Sequence, residues 1–334
     1  MVAQPMTGIV PGLQWIRIPL SDNPLGSVNA YLIESSDGPI LIDTGWRTDE
    51  VVGAIDAALA SVGATTADLS QIILTHGHPD HAGLASTFRE ASGAPIALHS
   101  ADWQMVDPAR RLDEANLTRG AVWFRRNGLP DRDGDARGMR RGMGERNPPF
   151  VPDRALADGE VLRLGRFNFR VIWVPGHARG QVCFYDEQDG VLISADHVLP
   201  EISPNVGLYG PDDGHPLDDY LASLAKVRDL PINVALPGHG DPFTGLAARV
   251  DWLAEHHEER LGEIRAALGD TPATAFDLCH DLTWIGGLVH FSKLSPFQQS
   301  MATAETIAHL EVLRRRDEAT SEDGEERITW RKTG

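Results

Sequence analysis

Residues 75–81 read Thr-His-Gly-His-Pro-Asp-His, directly after the apolar run Gln71-Ile-Ile-Leu74. A run of β-formers that stops at a polar, histidine-rich turn reads as a buried strand delivering side chains at its C-terminal edge. Three imidazoles and a carboxylate fall within six positions: His76, His78, Asp80 and His81. His76 and His78, two apart on extended or tightly turned backbone, can point the same way. Asp80 and His81 sit where the chain turns into a helix predicted over 82–91, so they can face a second point close by. Neutral imidazole and carboxylate suit zinc, iron or manganese. The layout points to two adjacent metals rather than one.

Three later turns repeat the same grammar of apolar strand, small or Gly/Pro residues, then a metal-binding side chain. His177 lies in Val174-Pro-Gly-His-Ala-Arg-Gly180, Asp196 in Leu192-Ile-Ser-Ala-Asp-His197, and His239 in Leu236-Pro-Gly-His-Gly-Asp241. Glycine beside such a residue lets the backbone approach where a side chain would clash. Four strand ends would then converge on one edge of a layered α/β fold, where binding sites tend to form.

These motifs together resemble the metallo-β-lactamase-fold superfamily, and Leu41-Ile-Asp-Thr-Gly45 resembles that superfamily's first motif. The resemblance covers about Gly12 to Thr244. It implies an α/β protein built as an αββα sandwich with a dinuclear site at one sheet edge. Carried over residue by residue, His76, His78 and His177 match the first-metal ligands. Asp80, His81 and His239 match the second-metal ligands, Asp196 matches the bridging carboxylate, and Asp43 matches a residue that supports the ligand loop. The match at Asp196 favours the glyoxalase-II-like branch over the antibiotic-hydrolysing zinc enzymes, which lack that Asp. The flavodiiron branch places Glu where this chain has His78.

Composition narrows the partners. A chain of 334 residues is long enough for one large and one small unit. A formal charge of −18 argues against nucleic acid, whose affinity comes largely from Lys and Arg contacts. Two cysteines, Cys183 and Cys279, give no disulfide framework and suit a reducing compartment. The N-terminus lacks a basic-then-apolar export pattern, and no apolar stretch approaches membrane-spanning length. The expectation is a cytoplasmic protein with a small-molecule substrate and no membrane partner, its oligomeric state open.

Predicted strands run over 13–20, 28–34, 39–42, 95–99, 169–174, 181–185 and 232–236, with a helix over 49–62. The expected division is a catalytic domain over 1–245 and a C-terminal domain over 246–334. Within the first, residues 101–152 form an insertion rich in arginine (Arg110, Arg111, Arg119, Arg125, Arg126, Arg132, Arg137, Arg140, Arg141 and Arg146). As a lid it would hold an anionic substrate through bidentate guanidinium contacts; as a solvated loop it would balance its own acids. Trp103, Trp123 and Phe124 would supply an apolar wall or anchor the segment. Tyr209, in the loop that leaves Asp196, is a candidate donor to a substrate oxyanion. His99 and His197 are read as structural.

The C-terminal segment is predicted as helices over 247–268, 274–279 and 296–315, then a hairpin with an Asp323-Gly324 turn. It resembles the winged-helix-like domain of lactamase-beta-2-like members of the superfamily. His256 and His257 read as solvated, and His309 and Lys293 as residues able to reach a pocket. An acidic wing (Glu322, Asp323, Glu325, Glu326) counts against DNA.

The chemistry implied is hydrolysis. A hydroxide bridging two divalent ions, zinc first and iron or manganese as alternatives, would attack the carbonyl of a small anionic ester, thioester or lactone. Asp196 would bridge and Asp80 would bind and help orient the attacking oxygen, so both are candidate catalytic residues. Asp43 and Asp241 are candidate partners for the ligand imidazoles. A phosphodiesterase or ribonuclease, and a mononuclear iron enzyme resembling persulfide dioxygenases, are the alternatives.

Overall fold

The structure is a computed structural model that describes residues 6–20, 26–108, 114–130, 148–284 and 288–334. The chain divides into two compact units. The first comprises Met1–Leu112, Gly142–Pro204 and Ser223–Arg249; the second comprises Asp113–Arg141, Asn205–Ala222 and Val250–Gly334.

Two β-sheets build the first unit. One runs in chain order through β1 (Met6–Val10), β2 (Leu13–Pro19), β3 (Ser27–Ile33), β4 (Ile40–Ile42), β5 (Gln71–Ile73), β6 (Ile96–His99) and β7 (Arg154–Leu156). It is antiparallel from β1 to β4 and parallel from there to β7. The other contains β8 (Val161–Leu164), β9 (Phe167–Trp173), β10 (Val182–Asp186), β11 (Val191–Ala195) and β12 (Val234–Pro237), with β12 parallel to β11 at one edge.

Side chains alternate across a strand, and here both faces are buried. From β2 and β3, Leu13, Trp15, Tyr31 and Ile33 face the second sheet, against Phe169, Val171, Val182, Phe184 and Ile193. Ile16, Ile18, Val28, Ala30 and Leu32 face the other way, onto Val51, Ile55 and Leu59 of α1 (Asp49–Ser61) and Phe88. Strands buried on both sides read as continuous apolar runs, which is why Gln71-Ile-Ile-Leu74 carries no polar alternation. The C-terminal end of helix Pro216–Val227 is tied to the chain at the end of β9, the Ser223 hydroxyl donating to the Pro175 carbonyl (3.0 Å) and Lys226 Nζ to that of Trp173 (2.7 Å). The αββα layering implied by the resemblance is present.

One helix expected over 82–91 is two. α2 (Pro79–Ala82) starts with Pro79 in its first turn, where a missing N–H costs nothing. The chain breaks at Gly83-Leu84 before α3 (Ala85–Ser92), which ends on left-handed Gly93. Asp80 and His81 therefore ride on the first turn of a helix.

The second unit holds helix Glu114–Arg126, most of helix Leu246–Ala267, and helices Ala275–Cys279 and Pro296–Arg315, closed by strands Ala319–Asp323 and Ile328–Lys332. Its two later helices carry capping boxes, Thr274 with Asp277 and Ser295 with Gln298. The hairpin differs from expectation: Asp323 pairs with Ile328, and Gly324 N–H donates to the Arg327 carbonyl (3.0 Å), so the turn is a four-residue loop. Arg126 pairs with Asp323 and donates to the Gly324 carbonyl (2.7 Å), so this arginine ties a helix to the hairpin. Arg110, Arg111, Arg132, Arg137, Arg140, Arg141 and Arg146 lie outside the described residues.

Two histidines expected elsewhere belong to this unit's interior. His257 is buried with Nδ1 3.2 Å from Nε2 of His309, itself fully buried and bonded through Nδ1 to the Glu305 carbonyl (2.8 Å). His256 stacks on Trp252, and Lys293 is exposed.

Candidate metal centre

Every residue singled out as a metal ligand sits just past the C-terminal end of a strand in the first unit. β5 leads into His76, His78, Asp80 and His81; β9 leads to His177; β11 to Asp196; β12 to His239. Their side chains form three overlapping groups: His76, His78 and His177; His76, His81 and Asp196; and Asp80, His81 and His239. Within each, one donor atom per residue lies within 4.8 Å of the others. In the first group Nδ1 of His78 is 3.0 Å from Nε2 of His76 and 2.9 Å from Nε2 of His177. Asp196 stands between the outer groups, its Oδ2 3.5 Å from His177 Nε2 and 3.4 Å from His239 Nε2, its Oδ1 3.5 Å from His81 Nε2. Asp80 Oδ2 lies 3.4 Å from His239 Nε2.

What holds these side chains is as specific as the cluster. Asp43, at φ 60°, accepts hydrogen bonds from Thr75 N–H (2.8 Å), the Thr75 hydroxyl (2.8 Å) and His81 Nδ1 (2.7 Å). The Ser27 carbonyl accepts from His239 Nδ1 (2.7 Å). Asp241, the candidate for that role, instead pairs with Arg17 at the surface (2.9 Å). Asn29 Nδ2 donates to the carbonyls of Pro237 and Gly240 (both 2.8 Å), and Tyr31 OH donates to Pro237 (2.6 Å), fixing the turn that carries His239. With Nδ1 engaged behind, the Nε2 atoms of His81 and His239 face inward.

The arrangement fits cations. Nε2 of His81, Nε2 of His239 and Oδ1 of Asp196 are buried without a hydrogen-bond partner among the described residues. Buried polar groups left so are costly, and a ring of imidazole nitrogens and carboxylate oxygens is the donor set of zinc, iron or manganese.

Charge divides the site in two. Burial, then the neighbouring His81 and His78, holds the His76 imidazole well below its usual range; burial and His177 bring His78 down to about 3. Around His81 and His239 burial also opposes charge, but Asp196 with Asp43 and Asp80 outweighs it at His81, and Asp196 with Asp80 raises His239 to about 10. Asp80 and Asp196 are held below the usual carboxylate range, burial being outweighed by these same imidazoles. A metal needs deprotonated imidazole. Cation uptake by Asp80, His81 and His239 should therefore release protons at pH 7, and its affinity should rise with pH toward 10, about tenfold per unit for each proton displaced. His76, held well below its usual range, and His78, brought down to about 3, are already neutral and should release none at pH 7. Calorimetric metal titrations in buffers of different ionisation enthalpy measure the difference; equal proton release by both halves would contradict it.

The other residues named from sequence lie as follows. His99 stacks on Trp173 (5.1 Å between ring centres). His197 is buried, which pushes its imidazole down to about 3. Tyr209 belongs to the second unit, where its hydroxyl donates to Asn205 Oδ1 (2.6 Å) and its ring meets Phe124 edge-on. Residues not anticipated are Ser27, which acts through its backbone carbonyl, Asn29 and Tyr31, whose side chains donate to carbonyls of the His239 turn, and Asp102.

A family model described as the metallo-beta-lactamase superfamily matches residues 23–239. The chain belongs to that superfamily. The probable metallo-hydrolase YqjP of Bacillus subtilis is 28% identical over 320 residues, 92% of this chain and 93% of its own length. The acyl-coenzyme A thioesterase MBLAC2 of Gallus gallus is 28% identical over 268 residues, 75% of this chain and 85% of its own. Among solved structures, a metallo-beta-lactamase family protein of Thermus thermophilus superposes with a TM-score of 0.81 at 34% identity, over 97% of this chain and 99% of that one. The metallo-beta-lactamase superfamily assignment makes this a metallo-hydrolase fold with His/Asp clusters able to hold metal. Among the described residues, no helix is long and apolar enough to cross a membrane.

Proposed function

We propose that this chain is a dinuclear metal-dependent hydrolase that opens the acyl bond of a small thioester, ester or lactone, with thioesters foremost. The observation that carries this reading is the overlap of three donor groups: the middle one, His76, His81 and Asp196, shares His76 with the first and His81 with the third. His76, His78 and His177 would hold one ion, Asp80, His81 and His239 the other, and Asp196 would touch both. Zinc is the first candidate. Two such ions would lower the pKa of a bound water toward about 7 and polarise the substrate carbonyl.

The chain's own residues supply position and charge. Asp196 lies within 3.5 Å of imidazoles from both halves, so its carboxylate can neutralise charge between them. Asp80, 3.4 Å from His239, adds a second carboxylate that can accept a hydrogen bond from a group at the reacting point. Neither thiol competes as nucleophile. Cys183 and Cys279 are buried, and burial raises both, Cys279 to about 12. The thioester preference draws on MBLAC2, named an acyl-coenzyme A thioesterase. The negative overall charge of −18 disfavours a polynucleotide substrate.

Elemental analysis of native-purified protein tests the reading, with Asp196→Ala and Asp80→Ala alongside. About two zinc per chain are expected, falling in both variants, with turnover of an acyl-coenzyme A or acyl-glutathione substrate. One iron per chain that survives Asp80→Ala would point to oxygen chemistry and sink the proposal. Preference for a phosphodiester over every acyl substrate would do so equally.

A further inference from the structure

Asp102 has no role in the chemistry above, yet its carboxylate sits directly beneath half of the site. It closes the 3₁₀ turn Ser100–Asp102 after β6 and is buried, 1% exposed. Oδ2 accepts the N–H of Gly77 (2.9 Å) and Oδ1 the N–H of Gly180 (2.6 Å). Gly77 lies between His76 and His78, and Gly180 is three residues past His177. One carboxylate thus joins two distant chain segments, and the imidazoles they bring together are those of a single group. Charge-assisted hydrogen bonds to backbone N–H are short and directional, so they set loop position closely.

Space requires glycine at 180 and is tight at 77. A Cβ on Gly180 would lie 2.7 Å from Cγ of Asp102; one on Gly77 would lie 3.1 Å from Cβ of Met105 and 3.4 Å from that of Asp102. The other group is anchored elsewhere: His81 by Asp43, His239 by the Ser27 carbonyl, and the His239 turn by Asn29 and Tyr31. Asp43 serves both groups, because it also holds Thr75, whose hydroxyl is 3.0 Å from His76 Nδ1.

We propose that Asp102 is a positioning residue that sets the metal affinity of the His76/His78/His177 half alone. The inference rests on the dinuclear reading. It makes the two halves separately tunable from outside their ligands.

Cobalt(II) titration of the metal-free full-length protein tests it, read by bound ion per chain and by visible absorption. Wild type should take up two ions, and His177→Ala and His239→Ala one each. Asp102→Asn keeps the size of the side chain but turns an amide N–H₂ toward one of the two backbone donors. It should bind one ion as wild type does and the other about 10–100-fold more weakly. Excess cobalt should refill the weakened half, which a collapsed site would not allow. The retained ion should show the absorption bands of His177→Ala rather than those of His239→Ala. Gly180→Ala, which pushes the same loop off the same carboxylate, should reproduce the pattern and decides the matter should Asp102→Asn fail to fold. Equal weakening of both ions, no weakening, or a spectrum matching His239→Ala would overturn the role given to Asp102. A wild-type capacity of one ion would overturn the dinuclear reading, and this inference with it.

Discussion

Gly238→Ala is expected to lower kcat/KM by about 100-fold or more and to strip metal from both halves of the site. A Cβ at this position would fall 2.0 Å from Asp196 Oδ1 and 2.8 Å from His81 Cε1. Something must move, and the backbone is held on both sides. Gly238 N–H donates to the Ala195 carbonyl (2.9 Å), its own carbonyl accepts from Asn29 N–H (2.8 Å), and the Pro237 carbonyl accepts from Asn29 and Tyr31. Asp196 is the freer partner, so the carboxylate shared between the halves swings away. Overpacking of this kind costs about 1–3 kcal/mol of stability, too little to unfold a domain of ordinary stability. Metal content, a thermal melt and steady-state kinetics on one sample separate these effects. Near-native turnover with two ions bound would mean that Asp196 is not where the reaction needs it.

That glycine also shows what local sequence can carry. A small residue before a metal-binding side chain signals room for close approach, and the Gly238 distances agree. The strand-then-turn grammar works because it is local: each strand end and its donor are neighbours in the chain. The anchors are illegible for the opposite reason. Ser27 holds His239 across 212 positions and Asp102 reaches Gly180 across 78; nothing in a single sequence links such pairs. The carbonyl of Ser27 has no side-chain signature at all.

His257 is buried where its charged sequence neighbours suggest solvent, although the signal for burial is present. Leu246, Val250, Leu253, Leu261, Ile264 and Leu268 are all buried, and position 257 falls four residues from Leu253 and from Leu261, on the same stripe. In the fold, periodicity decides over local charge. Strands β7 and β8 give no apolar run, because they are short and carry exposed Arg154, Val161 and Arg163.

Asp43→Asn should have the second large effect, on both halves at once. Asp43 holds a positive φ of 60°, a region that Asp and Asn tolerate better than most residues, so the exchange leaves backbone strain nearly unchanged. What it alters is hydrogen-bond polarity. The carboxylate accepts three donors: Thr75 N–H, the Thr75 hydroxyl and His81 Nδ1. An amide offers one acceptor oxygen and two N–H donors, so one of those contacts becomes donor against donor. Should the N–H₂ face His81, the ring would have to accept at Nδ1 and carry its proton on Nε2, toward Asp196. That is the tautomer unable to bind a metal. Should it face the Thr75 amide, the backbone just before His76 loses its acceptor. Wrong-tautomer substitutions of a supporting Asp cost up to about 10⁴-fold in turnover, and losing the partner behind a ligand imidazole costs about 10–100-fold in metal affinity. A loss of about 10²–10⁴-fold in kcat/KM is therefore expected, with both ions weakened. The buried mismatch should also cost about 1–3 kcal/mol of stability. Cobalt titration beside Asp102→Asn discriminates the two anchors, because Asp102 should weaken one ion and Asp43 two. Weakening of a single ion in Asp43→Asn would mean that the Thr75 contacts do not govern His76, leaving Asp43 as a support for His81 alone.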